Sequence, residues 1–221
     1  MSAEIRVRGE GEVRCLPNRA SLRISVEAEA ESQAEAFTLA SRSAATVDAV
    51  LDRYGEAIDR RFTAGVLVRP KTRLRKGETI TTAWIAGRTT VVEVKAFSEV
   101  GRIVGELPGA GASAVFGPNW EVNSANVAHE QARRSAAIDA QLRATAYADA
   151  VHLKLGALKW LAEPGLRRDT SPGPIHGPAA RFYAAGAVAP PQEPMDIERD
   201  EVTIHATVDA CFELLDVSQV P

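Results

Sequence analysis

Strict two-residue alternation at the two ends of the chain is the feature that most limits what it can fold into. From Ile5, apolar or small residues take every second position, Ile5, Val7, Gly9, Gly11, Val13 and Cys15, while Arg6, Arg8, Glu10, Glu12 and Arg14 fill the others. A period of two sends successive side chains to opposite faces, so this segment is a strand with one wet face. The last segment repeats the pattern, with Val202, Ile204, Ala206, Val208, Ala210, Phe212 and Leu214 set against polar neighbours such as His205, Asp209 and Glu213. That closing strand is expected inside the main sheet.

Pro17-Asn18 supplies turn chemistry, and alternation resumes through Ala20, Leu22, Ile24, Val26 and Ala28, so the first thirty residues are expected to form a β-hairpin. Ser32 and Glu35 have capping-box spacing, which starts a helix whose stripe is Phe37, Ala40, Ala44, Val47, Leu51 and Tyr54, with Gly55 placed to end it in a left-handed conformation. Phe62 to Val94 reads as two long antiparallel strands around a Gly77-Glu78 turn, with Gly87 as a bulge. Ser98 to Leu107 reads as a short helix, and a strand through Phe116, Trp120 and Val122 follows, irregular at Gly117-Pro118. From about Asn126 to Val151 runs the longest helix, with the small stripe Ala132, Ala136, Ala140, Ala144, Tyr147 and Val151; so small a stripe implies close approach to a sheet.

Residues 157 to 163 read as another strand. Seven of the twelve prolines then fall between Pro164 and Pro194, which excludes a continuous helix or a central strand, and 165–196 reads as an extended loop. The fold class is therefore α+β: antiparallel sheets with packed helices, ββαββ-type segments, a weak internal duplication and long protruding strands. The chain is expected to be one domain over residues 1–221, with subdomains at 1–97 and 98–221.

The formal charge of −3 gives no global field for nucleic acid or an anionic membrane, and no run reaches the roughly 18 apolar residues of a spanning helix. Strand alternation begins at Ile5 where a leader would need a basic segment and an apolar stretch, so the chain as it stands reads as cytoplasmic, with a periplasmic or secreted location if a leader was removed. Cys15 and Cys211 are too few for a disulfide scaffold; they read as unpaired thiols, the alternative being one bridge between the first and last strands.

Motifs that carry chemistry fail on context. Gly9-Glu-Gly11 has Arg14 at the third small position and continues as strand, whereas a dinucleotide loop must open a helix. Gly109 to Ala114 has the spacing but follows a helix and enters a strand, so it reads as a turn. His129-Glu130 lacks a second histidine, because position 133 is Arg, and His152, His176 and His205 share no ligand spacing. No catalytic, cofactor or metal residues are nominated, and no cofactor is expected. The one conspicuous polar cluster is Arg69, Lys71, Arg73, Arg75 and Lys76, a basic stripe near a hairpin tip. It reads first as a solvated arm that resists edge aggregation, and second as a contact for an anionic partner or a subunit.

"IRVRGEGEVRCLPNRASLRISVEAEAESQAEA" resembles the start of the SIMPL-domain family. "ARRSAAIDAQLRATAYADAVHLKLGALKWLAEPG" is similar to its second signature, and "EVTIHATVDACFEL" to its closing strand. The resemblance implies an α+β protein of a family with many exported members, some assembling homo-oligomeric rings and others linked to stress tolerance or signalling-kinase association; it implies no catalytic residues. The leading expectation is a non-enzymatic, homo-oligomeric structural or interaction protein, with another protein partner allowed. The alternatives are a small-ligand or anion-binding module with a pocket beneath the Pro-rich loop, and a hydrolase with an unrecognised carboxylate site.

Overall fold

The computed structural model describes residues 3–75, 77–166 and 197–216. The 167–196 part of the expected loop, Lys76 and His176 lie outside them. The strands are β1 (Ala3–Cys15), β2 (Arg19–Ala30), β3 (Ile58–Arg75), β4 (Glu78–Val94), β5 (Ala114–Glu121), β6 (Leu153–Ala162) and β7 (Val202–Asp216). The helices are α1 (Gln33–Arg53), α2 (Val100–Glu106) and α3 (Val127–Ala150). All strand pairs are antiparallel, which makes the protein α+β.

These residues form two compact units, one of residues 3–16, 123–166 and 201–216, the other of residues 17–122 and 197–200. Neither coincides with 1–97 or 98–221. The first holds the sheet β1-β7-β6 and α3; the second holds the sheet β3-β4-β2-β5 with α1 and α2. Each contains a strand, a long helix and two further strands, ordered in the sheet as first, last, middle. The internal duplication is thus a repeat of topology, to which the second unit adds α2 and β5.

The expected β1–β2 hairpin does not form. β1 pairs along its length with β7, from Ala3↔Leu214 to Cys15↔Val202, and β2 pairs with β4 and β5. The physical reason is side-chain size on the inner faces. α3 buries Ala128, Ala132, Ala136, Ala140, Ala144 and Ala148, one alanine per turn, and β1 meets it with Gly9 and Gly11. An added Cβ at Gly9 would lie 2.0 Å from the Ala136 carbonyl oxygen, and one at Gly11 would lie 2.1 Å from that of Ala132. Helix and strand backbones touch, and no phosphate could enter. The bulky inner face of β2, by contrast, packs Leu22, Ile24 and Val26 with Val47 and Leu51 of α1, Val92 and Val94 of β4, and Val100 and Ile103 of α2.

β7 does lie between two strands, in the three-stranded sheet rather than the larger one. The alanine stripe runs on to Ala148, so Tyr147 and Val151 are exposed instead of buried, and α1 buries Ala36 and Val50 where Phe37 was expected to point inward. Both long helices carry an N-cap: the Glu35 N–H donates to Ser32 Oγ (3.2 Å) and the Ala128 N–H to Asn126 Oδ1 (2.9 Å). α1 ends at Tyr54 with φ −100°, so Gly55 is not a left-handed cap. α2 is preceded by a 3-10 turn, Phe97–Glu99, and no Ser98 side-chain bond caps it.

Candidate functional site

The second unit presents two features that its own elements leave open, a sheet face and a β-arm. Both follow from β3, an 18-residue edge strand whose side chains are almost all exposed. Extra residues at Asp59 and Ala64 on β3, and at Thr82 on β4, bulge the ladder, whereas Gly87 sits in regular register and is no bulge. An added Cβ there would lie 2.6 Å from the Val26 carbonyl oxygen, so Gly87 serves close strand approach.

β2 stops pairing with β4 at Ala30↔Trp84. Beyond that point β3 and β4 continue as a two-stranded arm closed at Gly77, whose φ is +85°. Arg69, just before the arm begins, and Lys71, Arg73 and Arg75 along it alternate and share one face, as their spacing indicates. The Lys71 ammonium reaches across β4 and donates to both carboxylate oxygens of Glu29, at 2.9 and 2.7 Å. Arg69, Arg73 and Arg75 have no carboxylate partner among the described residues. Other arginines of this unit are paired: Arg19 bonds Asp59 (2.6 Å) and Glu93, Arg61 bonds Asp52 (2.9 Å), and Arg88 bonds Asp48 (2.7 Å). The structure thus brings four of the five sequence-nominated residues into one stripe; Lys76 lies outside the described residues.

The open sheet face was missed at the sequence level. α1 and α2 both pack on the face bearing Leu22 and Ile24. Across the opposite face runs the cross-strand row Phe62, Val91, Arg23 and Phe116, with Leu67 two rows away. Phe62 and Phe116 stay 38% exposed and Leu67 39%, and the Arg60 guanidinium stacks on the Phe62 ring at 4.7 Å. A shallow notch of about 160 Å³ opens there around Gly65 and Gly87. The signal was present in the sequence as alternation in β3, but which face a helix would cover was not.

The first unit has a second shallow pocket, about 240 Å³, whose lining includes Ala136, Leu161 and Val208 together with Arg133 and Glu163. The Arg6↔Cys211 and Cys15↔Val202 register places the two thiols at opposite ends of the β1–β7 ladder, roughly 30 Å apart at about 3.4 Å per residue. Both are free, and no bridge between them is geometrically available. Cys211 is fully buried, and burial, reinforced by the Glu4 carboxylate, pushes its thiol pKa up. His129 is partly buried and His152 and His205 are exposed; among the described residues no three His, Cys, Asp or Glu side chains gather as a metal site. No described helix is long and apolar enough to cross a membrane.

Comparison with known proteins adds the family. The 26 kDa periplasmic immunogenic proteins of Brucella melitensis biotype 1 and Brucella abortus (strain S19) are each 26% identical over 219 residues, covering 96% of this chain and 85% of theirs. Residues 5–212 match the model of the SIMPL family, described as a protein of unknown function (DUF541). With nearly the whole chain matched, the protein belongs to the SIMPL family.

Proposed function

We propose that this SIMPL protein is a non-enzymatic structural or interaction protein that works as a homo-oligomer. The observation that carries the reading is the uncovered face of the four-stranded sheet. Sheets bury their apolar face against a second layer, and sheet-on-sheet packing at about 10 Å is the common solution. Here one face holds α1 and α2, while the Phe62, Leu67 and Phe116 face is left open by its own unit. A second copy presenting the same face completes the layer, with Arg23, Arg60 and Glu27 supplying charges of both signs around the contact. The periplasmic name of the Brucella relatives supports a periplasmic location over a cytoplasmic one for this chain.

Light scattering of the full chain at several concentrations tests the reading. The expected mass is a multiple of 23.6 kDa, falling towards 23.6 kDa for Phe62→Glu/Phe116→Glu and for the milder Leu67→Glu, with circular dichroism confirming that both variants fold. A wild-type chain that stays monomeric at high concentration overturns it.

A further inference from the structure

We propose that the outward edge of β3, from Val66 through Arg75, binds an extended acidic segment of a different protein by strand addition. The proposal extends the reading of the chain as an interaction protein; its backbone bonds use the strand edge, and Arg69, Arg73 and Arg75 continue the face of Leu67 from the self-association contact towards the arm's tip.

The edge is open among the described residues, where β4 is the only strand that pairs with β3. One row of its backbone N–H and C=O groups therefore has no ladder partner, and such a row templates another strand. From Val66↔Arg88 to Lys71↔Ala83 the register with β4 is unbroken, so the chain presents an even edge between the bulge at Ala64 and that at Thr82. Pro70 offers no N–H, which an edge strand tolerates and which leaves neighbouring donors to set the register.

Charge decides the occupant. β3 carries Arg60, Arg61, Arg69, Lys71, Arg73 and Arg75 against the single acid Asp59. Antiparallel pairing with β3 of a second copy would set Arg60 and Arg61 beside the arm's own cations, and like charges directly opposite are destabilising. The chain's other edge strands offer little compensation. β1 balances three glutamates with three arginines (Glu4, Glu10, Glu12; Arg6, Arg8, Arg14). β6 carries Lys154 and Lys159 and no acid, and Glu121 is the only charged residue of β5. The complement is a foreign strand with carboxylates at alternate positions, all on the face of Arg69, Arg73 and Arg75. Lys71 already shows the contact, holding Glu29 from across β4 at 2.7 Å. The exposed Val66 and Val68, on the face opposite the arginines, add apolar contacts for the residues between the partner's carboxylates.

A fluorescein-labelled ten-residue peptide of alternating Glu and Val, titrated with the full chain at low salt and read by anisotropy, tests this. Saturable binding is expected. It should weaken at least tenfold for Arg69→Glu/Arg73→Glu/Arg75→Glu, three exposed changes, with an unchanged melting temperature showing that the variant is folded. It should weaken similarly for a peptide of the same composition with its glutamates scrambled, and for the alternating peptide N-methylated at every second amide, which keeps the charge and removes hydrogen bonds. Equal binding of scrambled and alternating peptides, or of heparin and duplex DNA with the same charge, overturns the proposal in favour of a general polyanion surface. Absence of peptide binding, with the triple variant dissociating the chain's own assembly, overturns it in favour of a second copy at the edge. Peptide binding by a chain that light scattering shows to be monomeric leaves this proposal standing while the self-association reading fails.

Discussion

Replacing Gly9 by alanine adds one methyl group, and the structure says where it must go. The new Cβ would lie 2.0 Å from the Ala136 carbonyl oxygen, 2.5 Å from the Ala140 nitrogen and 2.7 Å from the Ala140 Cβ, whereas real Cβ atoms keep at least 3.0 Å. Two of the three neighbours are helix backbone, which cannot rotate away, so α3 must withdraw by about 1 Å. A gap of that size forfeits between about a quarter and a half of each dispersion contact along the alanine stripe. Six buried methyl groups at about 0.8 kcal/mol each make that loss about 1–2.5 kcal/mol. Overpacking strain adds about 1–3 kcal/mol, for a total of about 2–5.5 kcal/mol. Urea unfolding followed by Trp160 fluorescence, in a Trp84→Phe/Trp120→Phe background, reads this unit alone, because Trp160 lies in β6 and the other two tryptophans in the second unit. At a slope of about 2 kcal/mol per molar urea the midpoint should fall by about 1–2.75 M. Gly105→Ala is the control: nothing lies within 4 Å of a Cβ there and the site is inside α2 of the second unit, so the Trp160 midpoint should not move. A Gly9→Ala midpoint equal to wild type refutes the backbone-contact argument.

Other outcomes follow from single contacts. With a thiol reagent at pH 7.5, Cys15 should react promptly, and buried Cys211 only on unfolding; two fast thiols would contradict its burial and raised pKa. Tyr54, raised first by burial and then by donating its hydroxyl to Glu106 (2.6 Å), and Cys211 both hold their protons more tightly folded than unfolded. Their contribution to stability is therefore complete below the ordinary thiol range near pH 8.5 and is lost as pH rises through the folded values, so the melting temperature should decline from about pH 9 upward. A flat profile to pH 11 would count against it. Ser32→Ala removes the acceptor of the Glu35 N–H and should cost about 1 kcal/mol in urea titrations, an effect absent if the cap bond does not form in solution.

The sequence carries its periods plainly and its pairings poorly. Alternation locates β1 and β7, and the alanines of α3 announce a close helix–strand contact before any coordinates. What alternation cannot state is partnership. Pro17-Asn18 has the chemistry of a local turn, yet β1 and β2 belong to different sheets, because glycine faces can meet only the alanine helix and leucine and isoleucine faces need the bulkier one. Helix phase slips for a similar reason. Tyr147 fits a three- and four-residue stripe as well as Ala148 does, and only the strict four-residue step demanded by the β1 contact decides between them. Of the candidate site, Arg69, Lys71, Arg73 and Arg75 were legible because period two fixes a common face. The Phe62–Phe116 row was not, because it joins residues from β3 and β5 whose adjacency depends on the order of four strands.

The central claim, that copies of this chain meet through the open sheet face, is tested most directly by distance measurement across the contact. Thr89 lies on that face near its middle, and a spin label at Thr89→Cys in a Cys15→Ser background leaves Cys211 buried and unlabelled. With sheets stacked about 10 Å apart, double electron–electron resonance should find label pairs within about 30 Å. Labels that show no such distance in a solution of assembled protein would contradict the account.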